Sequence, residues 1–216
     1  MTDLIIIGAG GHAAELDEYI RYNLKVLGQK KLNVVGFLDD NSSNYRHYKF
    51  SAPLLGGIKG HKVEKGVQYL LGIADINYRK LFAEKLKGEG AVFSSFLHCT
   101  ALISETSQIG EGTIIGPNAN VGPNVKIGKF TLINSRCSIG HDTTIGDLNF
   151  ISPNVCFSGF TVVGDQNLFG INSATIPGIT VGNRNKIAAG MVLDQKVGDD
   201  EVVFYRFKEK IIAVRK

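Results

Sequence analysis

From Ile103 to Leu193 the chain places a large apolar residue at every sixth position, in 15 of 16 places, with Thr175 the one exception. The residue after it is usually glycine, as at Gly110, Gly116, Gly122, Gly128, Gly140, Gly146, Gly164, Gly170 and Gly182, and four of the five prolines (Pro117, Pro123, Pro153 and Pro177) come two after it. Compact side chains such as Thr113, Ala119, Val125, Thr131 and Cys137 stand two before the next apolar position. A period of six with an inward aliphatic, a tight-turn glycine and a second small inward residue predicts a parallel β-helix. Each hexad is one short strand plus a corner, and three hexads make a coil. Neither the helical period of 3.6 nor the strand period of 2 yields this spacing. Sixteen hexads in unbroken register predict about five coils and no long insertion, so a ligand has to lie along the outer faces or between subunits.

The first 97 residues follow other periods. Leu4 to Ile7 reads as a short buried strand and Gly8-Ala9-Gly10-Gly11 as a turn, and His12 to Tyr22 carries Ala13, Leu16, Tyr19 and Ile20 at helical spacing. A second strand, Asn33 to Leu38, ends in Asp39-Asp40. Gln68 to Ala74 predicts a further strand and Tyr78 to Lys87 an amphipathic helix, with Phe93 to Thr100 as the crossover into the coils. The predicted fold is thus a small Rossmann-like α/β domain with a parallel sheet over residues 1–97, followed over 98–216 by a left-handed β-helix. From Glu201 onward the hexad period gives way to alternating apolar residues, which predicts a capping strand or tail.

Composition narrows the partners. The 216 residues carry 24 basic and 20 acidic side chains, a net charge of +4 shared by both halves, so nucleic acid is not an expected partner. Three cysteines form no CxxC, which fits a reducing cytoplasm, and Cys137 and Cys156 read as packing residues. The apolar run Leu4 to Gly11 is far shorter than the roughly 20 residues of a membrane span, so no membrane insertion is expected.

Two places carry chemistry. Glycines between a first strand and a first helix let a phosphate or ribose approach the backbone and the helix N-terminus, and Asp39 and Asp40 end the second strand where an acid meets a ribose hydroxyl. The third glycine of the dinucleotide fingerprint is missing and the domain is short, which argues against an NAD-dependent oxidoreductase. In the repeat, Gly140-His141-Asp142 puts an imidazole on an outward corner beside a carboxylate, where it can serve as a general base. Only His98 and His141 fall in or near the repeat, too few for a three-histidine zinc site, and no metal is expected.

The opening Ile5-Ile6-Ile7-Gly8-Ala9-Gly10-Gly11-His12, together with Gly36-Phe37-Leu38-Asp39-Asp40, Gly140-His141-Asp142 and Phe169 to Pro177, resembles the bacterial sugar acyltransferases of the NeuD/PglD type over nearly the whole chain. The resemblance implies a cytoplasmic homotrimer that moves an acetyl group from acetyl-CoA to the amine of a UDP- or dTDP-linked amino sugar in surface-glycan biosynthesis. It makes His141 the base and Asp142 its partner, and gives the nucleotide to Gly8, Gly10, Gly11, His12, Asp39 and Asp40. It points Asn134 at the sugar and lays the thioester and pantetheine along Gly159, Ile171 and Ala189. Alternatives are O-acetylation of sialic acid or a related sugar, and a non-catalytic nucleotide-binding scaffold. Two departures stand out. Phe150 replaces a second histidine found in some relatives nine residues after the base, and the usual Gly-x-Pro-Ala-Lys ending is absent, leaving the basic tail Arg206, Lys208, Lys210, Arg215 and Lys216 as the candidate holder of the cofactor phosphates.

Overall fold

The computed structural model describes residues 2–28 and 32–205. The run Leu4–Ile7 is fully buried, as a central parallel strand covered on both faces must be. It lies in β1 (Thr2–Ile7), which pairs in parallel with β2 (Leu32–Leu38) and, on its other side, with a later strand. That sheet also contains β3 (Leu54–Gly56), β4 (Val67–Leu71) and β5 (Val92–Phe93), in the order β3-β2-β1-β4-β5 with every pairing parallel. The first helix, α1 (Gly11–Leu27), runs beyond Tyr22 to a left-handed cap at Gly28, φ 62°. A short α2 (Ser42–Arg46), absent from the sequence expectations, starts at Asn41, whose side chain accepts from the Ser43 N–H. The third helix, α3 (Ile76–Gly88), starts at Asp75, which accepts from the Asn77 and Tyr78 N–H groups at 2.9 and 3.0 Å.

Beyond the sheet the chain winds into a triangular prism, a left-handed parallel β-helix with faces of seven, six and five strands. The stretch read as a crossover already contains the first prism strand, β6 (Phe96–Leu97), paired with Ile114–Ile115, so the coils begin before residue 98. At the far end Val202–Val203 pairs with Lys186–Ile187. The basic tail from Arg206 to Lys216 lies outside the described residues.

Two sequence inferences about the repeat need correction. The glycine after each apolar residue is not the turn residue. Left-handed φ falls two residues later, at Asn118, Asn124, Phe130, Arg136, Asp142, Leu148, Asn154, Phe160, Gln166 and Asn172, with φ from 53° to 61°. The glycine is needed because one coil presses on the next: a Cβ on Gly110 would stand 2.5 to 2.7 Å from the backbone of Gly128 and Lys129. Cys156, read as packing, faces outward and is exposed, whereas Cys137 is buried and its thiol is pushed up to about 11 by that burial. The interior is also more polar than the hexads suggest. Thr113, Thr131, Asn149, Asn167 and Asn185 stack inside one corner, where each side-chain oxygen accepts the backbone N–H of the coil above.

The outer side of the seven-stranded face explains how the two domains join. Phe96, Ile114 and Leu132, one per coil, are buried in a single cluster with Ala13, Leu16 and Ile20 of α1, and Phe150 packs at its edge. The opposite side of the α/β sheet meets Phe130 of the prism. Here Arg79 is fully buried, with no carboxylate partner among the described residues. It donates to the carbonyls of Leu71 and Ile73 at the end of β4 and to that of Phe130, at 3.0, 2.7 and 2.9 Å, and burial pushes its guanidinium down to about 10.

Candidate active site

His141 sits on the corner between the six- and five-stranded faces, directly below Gly159 one coil on. Its Nδ1 lies 2.8 Å from Oδ2 of the neighbouring Asp142, which holds a left-handed corner conformation, φ 57°. The imidazole beside Asp142, and then the Asn124 amide that donates to its other oxygen at 3.1 Å, hold the Asp142 carboxyl below the usual carboxylate range. An ionised Asp142 accepts a hydrogen bond from Nδ1–H, which leaves Nε2 with its lone pair free. Nε2 faces Gly159, where a Cβ would stand 2.8 Å away, so any larger residue there would press on the imidazole. The Gly159 N–H has no backbone acceptor among the described residues. Phe160 walls the site, its ring edge-on to the imidazole with centroids 5.0 Å apart.

The second group of expected site residues gathers at the N-terminus of α1. Gly8 takes φ 99°, Gly10 caps the helix without a side chain, and the first N–H groups face a small cleft lined by Gly8, Gly10, Gly11, His12, Asp39 and Ile73. Asp39 is tied to its own chain: its carboxylate accepts from the N–H groups of Ala9 and Asn41, at 2.8 Å each, and from the Asn44 amide. It therefore shapes the glycine turn. Asp40 does not line this cleft; it accepts from the Lys59 N–H at 3.1 Å beside Gly57. His12 Nε2 is a buried atom without a hydrogen-bond partner among the described residues, and its Nδ1 faces Glu15 at 3.7 Å. A wider cleft of about 560 Å³ continues between α1 and the prism, with Gly11, His12, Tyr48, Lys49, Asn134 and Phe150 on its walls. Phe150, in place of the histidine of some relatives, is an outward residue of the seven-stranded face at this cleft.

The expected residues thus occupy two different edges of the prism. Asn134, Ile171 and Ala189 follow strands of the seven-stranded face, on the edge that it shares with the six-stranded face. His141, Asp142 and Gly159 stand on the next edge. Asn124 was not anticipated, although its place one coil below Asp142 follows from the 18-residue repeat. Among the described residues no cluster of three His, Cys, Asp or Glu side chains is placed to hold a metal ion, and no helix is long and apolar enough to cross a membrane.

Residues 3–86 match the family described as PglD N-terminal domain. A curated UDP-N-acetylbacillosamine N-acetyltransferase of Bacillus subtilis is 26% identical over 117 residues, which is 53% of this chain, and the match spans about half (51%) of that relative's length. Among solved structures, PerB from Caulobacter crescentus in complex with CoA and GDP-perosamine superposes with a TM-score of 0.80 at 23% identity, covering 94% of this chain and 93% of that one. The acetyltransferase domain of PglB from Neisseria gonorrhoeae, in complex with acetyl coenzyme A, also gives 0.80, at 22% identity over 93% and 94%. Residues 3–86 therefore match the PglD N-terminal domain family, and the whole chain shares its fold and domain order with the PerB and PglB structures.

Proposed function

We propose that the protein is an acetyltransferase that moves an acetyl group from acetyl-CoA to the amine of a nucleotide-linked amino sugar used in surface-glycan synthesis in the cytoplasm. The observation that carries this reading is the His141–Asp142 pair with its free Nε2 aimed at the open backbone of Gly159. The named activity of the Bacillus subtilis relative and the ligands of the two solved structures support it.

In the proposed mechanism the sugar nitrogen attacks the thioester carbonyl while His141 Nε2 takes a proton from it. The ionised Asp142 stabilises the imidazolium through Nδ1–H, and the unengaged Gly159 N–H donates to the developing oxyanion. As the tetrahedral centre collapses, the C–S bond breaks and the imidazolium returns its proton to the leaving thiolate. No covalent enzyme intermediate is required.

The nucleotide is assigned to the glycine turn and His12, the sugar to the cleft with Asn134, and the pantetheine arm to Ile171 and Ala189. The latter three share an edge that in one protomer is not the edge of His141. A site using both edges needs the edge of one copy against the next edge of another, a heterologous contact that closes as a cyclic trimer of roughly 70 kDa. A fully active monomer in sedimentation would overturn this arrangement.

Mass spectrometry of products after incubation with acetyl-CoA and a panel of GDP-, UDP- and dTDP-amino sugars and free sialic acid tests the reaction. An N-acetylated nucleotide sugar is expected; acetylated sialic acid alone would reassign the acceptor, and no product would leave a nucleotide-binding scaffold. The two acids should separate in the same assay. Asp39→Ala frees the backbone of the glycine turn and is expected to raise the nucleotide-sugar KM more than it lowers kcat, because those contacts are alike in ground and transition states. Asp40→Ala should leave both constants nearly unchanged. Equal effects of the two substitutions would argue against the pocket drawn here.

A further inference from the structure

The coil below His141 carries a feature that the acid–base pair alone does not explain. Asn124 occupies the corner one coil before Asp142, with φ 59° against 57°, and its Nδ2 donates to Asp142 Oδ1 at 3.1 Å. It is itself seated from below: its backbone N–H donates to Thr106 Oγ1 at 3.0 Å, and that hydroxyl lies 3.1 Å from Ser104 Oγ. Hydroxyl, amide, carboxylate and imidazole thus form a connected line down one edge of the prism. The Asn124 amide engages the one carboxylate oxygen that His141 does not use.

We infer that Asn124 is a positioning residue of the transfer site: by holding Asp142 Oδ1 it aims Oδ2 at His141 Nδ1, and so keeps Nε2 unprotonated and directed at Gly159. This rests on the function proposed above. The physical reason is freedom of rotation. A half-exposed aspartate with one partner can swing about its χ torsions, and the imidazole can then rotate or exchange tautomers; a carboxylate fixed through both oxygens cannot. The choice of residue is limited as well. Of the residues that most readily take a left-handed corner (Asn, Asp and Gly), only Asn offers a side-chain donor, although other corners of this prism also hold Phe130, Arg136 and Leu148.

Two variants keep the corner and remove the donor. Asn124→Gly deletes the amide. Asn124→Asp replaces the donor by a carboxylate set against Asp142, which makes a shared hydrogen bond impossible when both are ionised. The charged side chains around this shelf are Asp142 and Lys126, with Glu105 beside Thr106 on the coil below; Pro123 of the same coil as Asn124, and Gly159 and Phe160 two coils up, carry no charge. In Asn124→Asp the added negative charge should raise the basicity of the imidazole, so the acid limb of the rate profile moves to higher pH. Each variant should lower kcat by about tenfold, the scale expected when a hydrogen bond to a charged group is lost, with both KM values within about twofold of the parent.

The ¹⁵N shifts of the His141 imidazole, read in the full-length protein, give a second readout independent of turnover. The parent is expected to hold the Nδ1–H form, and both variants to show a mixture of tautomers. Unchanged tautomer populations together with unchanged kcat and acid limb in both variants would overturn the assignment. If the parent transferred no acetyl group to any acceptor, the proposed function would fall, and the nitrogen shifts alone would still decide whether Asn124 sets the tautomer.

Discussion

Replacing His141 by alanine is expected to cut kcat by about 10²–10⁴-fold, the contribution of a positioned proton acceptor, while leaving the fold and both binding steps close to the parent. The imidazole is 56% exposed and lies against Asp142, Gly159 and the edge of Phe160, so little packing is lost with it. Asp142→Asn should cost less, because the acceptor nitrogen stays in place and loses only its orientation and charge support. The pH dependence has a definite sign. Asp142 is held below the ordinary carboxylate range by His141 and Asn124, so its carboxylate stays ionised on mild acidification. A protonated imidazole cannot take a proton from the sugar amine, so activity is lost as the pH falls. A folded His141→Ala variant that kept most of its kcat and the same acid limb would place the base elsewhere. His98, the other imidazole beside the repeat, is a poor substitute: it is buried, its Nδ1 is tied to Thr100, and the Tyr22 ring stacks on it.

The second large effect concerns the stacking of the coils. Gly110→Ala is expected to destabilise the protein by about 3 kcal/mol, the upper end for overpacking, and to lower Tm by several degrees in thermal unfolding followed by circular dichroism. The reason is the identity of the obstructing atoms. The new Cβ would meet the carbonyl carbon and oxygen of Gly128 and the nitrogen of Lys129, and backbone locked into a ladder has no rotamer through which to move aside. Gly60→Ala is the control, since a Cβ there meets nothing within 4 Å and its φ is ordinary. Equal Tm values for the two variants would show that the coils can separate at little cost.

The prism was legible because its signal is one-dimensional: each hexad must hide one aliphatic, and Ile115 through Leu193 do so in sequence order. The glycine turn, the two flanking strands and the His141–Asp142 pair were legible because they are local. What escaped the reading depends on contacts one coil apart or on the other domain. Phe96, Ile114 and Leu132 each stand beside an inward residue, and their burial under α1 is visible only at a period of 18. The role of the hexad glycines was misassigned because sequence does not distinguish a residue that bends from one over which another coil lies. Asp39 and Asp40 look equivalent in the sequence, yet hydrogen bonds to Ala9 and Lys59 place them in different surroundings. Asn124 resembled any other corner residue until its amide was seen to reach Asp142.

The uninterrupted hexads also act as a coordinate system. A shift of six residues carries a side chain to the next edge of the prism, and a shift of 18 carries it one storey along the axis, about 4.8 Å, the spacing of paired strands. His141 and Gly159 are related by one such storey, and Asn134 and Ile171 share an edge two storeys apart. Inserting or deleting whole coils therefore lengthens or shortens the distance between the two ends of a substrate without turning either end away, whereas a change of a single hexad would send every later residue to the wrong side. The scaffold can vary reach in discrete steps while conserving direction, and point substitutions at an edge can change chemistry without disturbing either.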